Sequence, residues 1–197
     1  MTREYHPLTA HRLQTGTLYH LPGQDRERVR IDSPALAVMT DLRQIPAATI
    51  DPEAPLDVAN RFMIRRGVRL LLVTDDERHV LGLITTNDVF GEKPVQFALE
   101  RGIKHTEIRV RDIMTPRERL EALHYADLVQ AEVGHIVATL KHVGRQHALV
   151  IDSSGEGGAQ AIRGIVSASQ VARQLGITIQ TTEVAQTFAE IGVALGR

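Results

Sequence analysis

The chain of 197 residues contains no cysteine and no tryptophan. Without cysteine there is no disulfide, no thiolate zinc site and no thiol nucleophile. Aromatic residues make up 4%, too few for the stacked rings of a nucleic-acid platform. Neither sign of charge dominates. The 23 Lys and Arg against 24 Asp and Glu leave a net charge of −1, which removes the bulk electrostatic case for a nucleic-acid polymer or an anionic membrane. No stretch of the chain is apolar for long enough to span a bilayer. The opening residues Met1-Thr2-Arg3-Glu4-Tyr5 carry no apolar signal core, so a cytoplasmic location is expected. Nor is there a Gly-x-Ser-x-Gly elbow, a phosphate-cradling Gly-Lys-Ser/Thr ending or a paired-carboxylate arrangement, and no enzyme is expected. Nine histidines are present, but His135 and His142 stand seven apart and the His-x-x-x-His helix of zinc proteases is missing, so no metal is expected. What is there is 43% apolar and 24% charged, the composition of an α/β protein with a core.

The chain repeats itself. Val38-Met39-Thr40 returns as Ile113-Met114-Thr115, Leu70-Leu71-Leu72-Val73-Thr74-Asp75 as His147-Ala148-Leu149-Val150-Ile151-Asp152, and Gly82-Leu83-Ile84-Thr85 as Gly164-Ile165-Val166-Ser167. The spacing drifts because the second turn is longer, filled by the Gly- and Ser-rich residues 153–160, a flexible connection by composition. Two tandem units follow. In each, an apolar helical stripe (Leu56, Ala59, Met63; then Val129, Val133, Ile136, Val137, Leu140) stops at a glycine, Gly67 or Gly144, which suits a helix C-cap. Continuous apolar runs come next, as strands covered on both faces require. Neither unit alone buries much surface, so the two are expected to pack together. Residues 1–32 read as an arm in which 13–19 has strand character; 96–107 connects the units. Residues 177–197 carry the stripe Val184, Phe188, Ile191, Leu195, an amphipathic helix.

These motifs, in this order and twice over, resemble the CBS-domain family, and the chain is identified as a stand-alone, bacterial-type tandem pair of such domains (a Bateman module). Repeat 1 falls at 33–95 and repeat 2 at 108–176. The resemblance implies an α/β (α+β) fold of two βαββα repeats packed through their sheets. It further implies clefts that bind an adenosine-containing ligand, a regulatory role exerted on an effector protein by conformational change, and a homodimer. AMP, ADP or ATP are the first candidates, ahead of S-adenosylmethionine, NAD or a cyclic dinucleotide; no cofactor is required.

In such families a Thr or Ser followed three residues later by Asp holds the ribose, which here marks Thr85 and Asp88. A carboxylate accepts hydrogen bonds from both hydroxyls of a diol. The same four residues also make a helix cap that needs no ligand. In the second unit Ser167 and Gln170 stand at these positions, a degenerate site with an amide for the carboxylate. On the phosphate side the resemblance implies Arg69 and Gln146 at matching positions, followed by Leu70 and His147. Arg69 offers a fork of donors and His147 assists when protonated. The alternative reading is a structural or protein-interaction module with empty clefts, both motifs acting as caps.

Overall fold

The computed structural model describes Arg12 and residues 14–17, 29–153 and 158–177. Helix α1 (Leu56–Arg66) buries Leu56, Ala59 and Met63, positions that share one face at 3.6 residues per turn. Gly67 ends it at φ +63°, a left-handed conformation open to glycine without a Cβ penalty. Two segments carry the second apolar stripe. Tyr125–Gln130 forms one short helix, and Val133–Val143 forms another that buries Val133, Ile136 and Leu140 and ends at Gly144. The continuous face expected from Val129 is therefore broken, and Val129 is exposed. The break has a cause: Ala35 N–H donates to Ala131 O at 2.8 Å and Val133 N–H to Ser33 O at 2.9 Å, so residues 33–35 interrupt the helical ladder. His135 Nδ1 accepts from Glu132 N–H at 3.1 Å and caps the second helix.

Among the described residues, eight strands make two four-stranded sheets. One runs β2 (Thr49–Ile50), β3 (Leu70–Thr74), β4 (Val80–Thr85) and β5 (Thr115–Pro116). The other runs β1 (Met39–Asp41), β8 (Ala161–Ser167), β7 (His147–Asp152) and β6 (Ala122–His124). Each sheet thus takes an edge strand from the other sequence unit. β1 pairs antiparallel with β8, Thr40 opposite Ile165, while β5 pairs with β4, Thr115 opposite Leu83.

The repeated motifs explain this exchange. A Cβ on Gly164 would stand 2.5 Å from Met39 Sδ, and one on Gly82 would stand 3.0 Å from Met114 Sδ and 2.5 Å from Thr115 O. The glycine of each Gly-Leu-Ile-Thr-type motif is therefore the seat for the methionine motif of the other unit. A second tie closes one of the two exchanges. Arg163 on β8 makes a bidentate pair with Asp41 on β1 at 2.9 and 2.8 Å, and its guanidinium lies 4.8 Å from the Tyr125 ring centroid.

Among the described residues, three apolar clusters result. Helices cover the outer face of each sheet, around Met63, Leu71 and Ile84 in one and Leu140, Val150 and Val166 in the other. Between the sheets lie Leu70, Leu72 and Leu149 with Leu83 and Ile165 against them. Central strand β3 is buried on both faces from Leu70 to Val73, which accounts for its unbroken apolar run.

At the N-terminal side Val29 and Ile31 pack on the helix-covered core of the second sheet. Thr17 N–H and Oγ1 both bond Gln14 O, at 3.1 and 2.7 Å, so 14–17 is a turn where strand character was expected. The stripe at Val184–Leu195 lies outside the described residues, as do residues 154–157 of the long second turn.

Candidate functional site

Two clefts open between the sheets. The first, of about 400 Å³, is floored by Leu70, Leu83 and Leu149 and carries Thr85, Thr86, Asn87 and Asp88 on one wall. Arg119, Glu121, Arg145, Gln146 and His147 make the other. The second, of about 360 Å³, mirrors it: Ser167, Ser169, Gln170 and Arg173 face Arg66, Gly67, Val68 and Arg69.

Position 85 ends β4 and caps α2 (Thr86–Phe90). Thr85 N–H donates to Asp88 Oδ2 at 2.9 Å and Thr85 Oγ1 donates to the same oxygen at 2.7 Å, while Asp88 N–H reaches Thr85 Oγ1 at 3.4 Å. The capping box weighed on sequence grounds is therefore formed. Asp88 is 7% exposed, and its Oδ1 is paired with Lys93 Nζ at the start of α3 (Lys93–Arg101). A diol entering this cleft would meet Oδ1 and share it with Lys93. That lysine is half exposed, so it is able to swing aside into water.

The second unit does not repeat the box. Ser167 Oγ bonds Ser169 Oγ at 2.9 Å, and Gln170 Oε1 accepts from Thr40 Oγ1 at 3.1 Å. The amide that a capping box would turn onto the backbone is drawn instead to the exchanged strand β1, which passes beside it.

Arg69 was grouped with Asp88 on sequence grounds, and the structure places it elsewhere. Its carbonyl accepts from Thr86 N–H at 3.1 Å, but its side chain lines the second cleft with Ser167 and Gln170. Gln146 does the reverse: its carbonyl accepts from Ala168 N–H at 2.8 Å, and its side chain lines the first cleft with Asp88. The reason is geometric. Each cleft lies between two sheets, so its walls come from different units, and the residue leading into a central strand serves the neighbour's motif. Gln146 Nε2 is buried and has no hydrogen-bond partner among the described residues.

His147 borders both clefts, as does Leu70. Burial, and then the charge of Arg69 beside it, push its pKa down to about 4. The ring is neutral near pH 7 and supplies no positive charge, contrary to the role expected for its protonated form. Its neutral ring still has one donor and one acceptor nitrogen.

Several wall residues escaped the sequence reading. Arg145 lines the first cleft and pairs with Glu121 at 3.2 Å. Lys93, the partner of Asp88, and the wall residues Arg119, Arg66 and Arg173 carry no motif of their own. Lys93, Arg66 and Arg173 stand within five residues of Asp88, Arg69 and Gln170 in sequence, a nearness that does not separate a cleft-facing cation from a solvated one, and Arg119 has no such neighbour. Among the described residues no three His, Asp or Glu side chains gather as metal ligands, and no helix is long and apolar enough to cross a membrane.

Two four-stranded sheets, helix-covered outside and facing each other across paired clefts, define the fold of a CBS-domain pair. Residues 37–94 match the CBS domain family. A conserved protein of Pyrococcus horikoshii has the same fold, with 21% identity and a TM-score of 0.54 over 78% of this chain and all of that one. So does CBSX2, the CBS-pair protein of Arabidopsis thaliana, in a structure solved with AMP. It has 21% identity and a TM-score of 0.52 over 72% of this chain and 94% of that one. No curated protein matches the chain.

Proposed function

We propose that the chain is a regulatory sensor whose first cleft binds an adenosine-containing ligand. The observation that carries this reading is the placement of Asp88. A carboxylate 7% exposed stands in the wall of a cleft of about 400 Å³, opposite two arginines and above a leucine floor. The diol of a ribose would donate to Oδ1, the base would lie on Leu70, Leu83 and Leu149, and Arg119 or Arg145 would meet phosphate oxygens. The fold shared with CBSX2, solved with AMP, supports AMP, ADP or ATP ahead of S-adenosylmethionine, NAD or cyclic dinucleotides. Regulation requires that the ligand prefer one geometry of the pair over another, and an effector protein reads the difference.

The protein is a homodimer in this reading. Ile64 on α1 and Val95 and Leu99 on α3 are 70%, 58% and 78% exposed, and a dimer interface would take such apolar side chains out of water. Sedimentation of wild type and Leu99→Glu tests it: a dimer that the glutamate splits supports the assignment, and a monomeric wild type rejects it.

A second reading is favoured by one observation. Asp88 is already served by Thr85 and Lys93, as it would be in an interaction module whose clefts stay empty. Thermal unfolding against the ligand panel separates the two. A ligand at 100 times its Kd adds about 2.7 kcal/mol of stability. Asp88→Ala removes the carboxylate half of the capping box, a change of about 1 kcal/mol, and leaves a folded protein for comparison. A shift seen in wild type and lost in Asp88→Ala supports the sensor. No shift with any ligand leaves the interaction module.

A further inference from the structure

Helix α3 is weakly held. It runs nine residues and buries only Pro94, with Phe97 and Ala98 partly packed on the helix-covered core. A helix this short is marginal in water without a packed face. Glu92 at its N-cap makes no capping hydrogen bond, and Lys93 puts a positive charge at the end where the helix dipole disfavours one. What meets that charge is Asp88 Oδ1 on α2. Among the described residues this is the one ion pair or side-chain hydrogen bond from α3 to another helix. Gln96 bonds only Glu92, at 3.3 Å, and Arg101 lies over the Phe97 ring of its own helix. Asp88 is buried in the wall of the first cleft, whereas Lys93 does not line it. Oδ2 of Asp88 holds Thr85, so Oδ1 is the atom at which the cleft meets α3.

We infer that the Lys93–Asp88 pair is a latch that keeps α3 ordered while the first cleft is empty, and that a ligand diol taking Asp88 Oδ1 releases α3. The latch rests on the adenosine reading and supplies its output, since a ligand in the cleft is read as loss of order in one outer helix. The freed ammonium goes to water, where a compact charge is well solvated. Left behind is a short helix with an uncapped first turn and little buried surface, the kind of segment that opens locally. Val95 and Leu99 are exposed on α3 and lose their fixed geometry with it. A second copy of the chain seated on them and a diol in the cleft would act on one element, each weakening the other.

Hydrogen exchange of the full chain, read at the amides of Gln96, Phe97, Ala98 and Leu99, tests this without and with adenosine. Without ligand, Lys93→Ala should exchange about threefold to tenfold faster there than wild type, while the helix Val133–Val143 of the other unit keeps its rates. The sign is diagnostic. Alanine is the better helix former and removes a charge that opposes the dipole, so an α3 that the pair did not hold would exchange more slowly in the variant. Slower or equal exchange overturns the latch. With saturating adenosine the wild-type amides of α3 should speed up toward the variant's rates, although the cores of both sheets slow. Adenosine should leave α3 of Lys93→Ala where it was. Adenosine that binds by calorimetry yet leaves wild-type α3 unchanged or slower also overturns the latch. An absence of binding heat would end the adenosine reading and with it the release, whereas the comparison without ligand separately decides whether the pair holds α3.

Discussion

His147 occupies the place in the second unit that Leu70 holds in the first, and the exchange of an imidazole for an isobutyl group has a pH signature. The folded ring has a pKa near 4 against an ordinary 6.5, so the unfolded chain binds the proton more readily. Stability is therefore full above about pH 6.5 and is lost as pH falls toward 4, by at most about 3 kcal/mol. Urea unfolding of wild type and His147→Leu at pH 7 and pH 4.5 checks this: the leucine variant should lose less on acidification, and equal losses would refute a neutral, desolvated ring. Arg69 contributes the second cause, after burial. In Arg69→Gln the His147 pKa should rise yet stay below 6.5, as read from the ring proton shifts during titration. Asp41 acts in a lower window. The Arg163 guanidinium holds its pKa below the ordinary 3.8, so its contribution persists through pH 4.5 and fades only in stronger acid. Lys93 gives a ligand-side prediction at this scale. It competes for Asp88 Oδ1, so Lys93→Ala should tighten the binding of uncharged adenosine if the diol uses that oxygen. Calorimetry with adenosine decides, and weaker binding would place Lys93 on the ligand instead.

The exchanged edge strands set their own energetics. At Gly82 an added Cβ meets the Thr115 carbonyl at 2.5 Å, whereas at Gly164 its nearest neighbours are Met39 Sδ and Cγ, with Thr40 O at 2.9 Å. A methionine chain has rotamers to spend and a backbone carbonyl has none. Gly82→Ala should therefore cost about 2–3 kcal/mol, near the upper end for overpacking, and Gly164→Ala less. Urea midpoints of the two variants give the order, and the reverse order would mean that β1 rather than β5 is the tighter fit. The second exchange has the extra Arg163–Asp41 latch, with both side chains mostly covered, while the equivalent pair in the first unit is Leu81 with Pro116 and carries no charge. Arg163→Ala should lower the midpoint more than Arg61→Ala, whose 3.0 Å pair with Asp57 is exposed on both sides. Partners fixed by the sheet and by the Tyr125 ring lose less side-chain freedom than a surface pair. Equal effects would reduce the latch to one more surface pair.

At the scale of the molecule, what the sequence makes legible is whatever depends on neighbours along the chain. The stripe of α1, the stops at Gly67 and Gly144, the buried run of β3 and the Thr85–Asp88 cap all follow from local spacing. The partition of the clefts does not, because Arg69 and Gln146 act across the gap between sheets and no local pattern records which wall they reach. The edge exchange was hidden for the same reason, although Met39, Met114, Gly82 and Gly164 were each visible as repeats. Long-range complementarity shows in sequence only as the same motif twice. Its consequence is that the two units are not two folding units. A fragment of residues 1–107 lacks β5 and the buried Ile108, Val110 and Ile113, which belong to its own helix-covered core. A fragment of residues 108–197 lacks β1 with Ala35 and Val38, and the cluster around Leu70 and Leu149 needs both. Each piece would also show an unpaired sheet edge. Expressed apart, neither fragment should give a cooperative thermal transition by circular dichroism, whereas their mixture should recover one together with dispersed amide resonances. A cooperative transition in either fragment alone would show that the exchanged strands decorate the units rather than complete them.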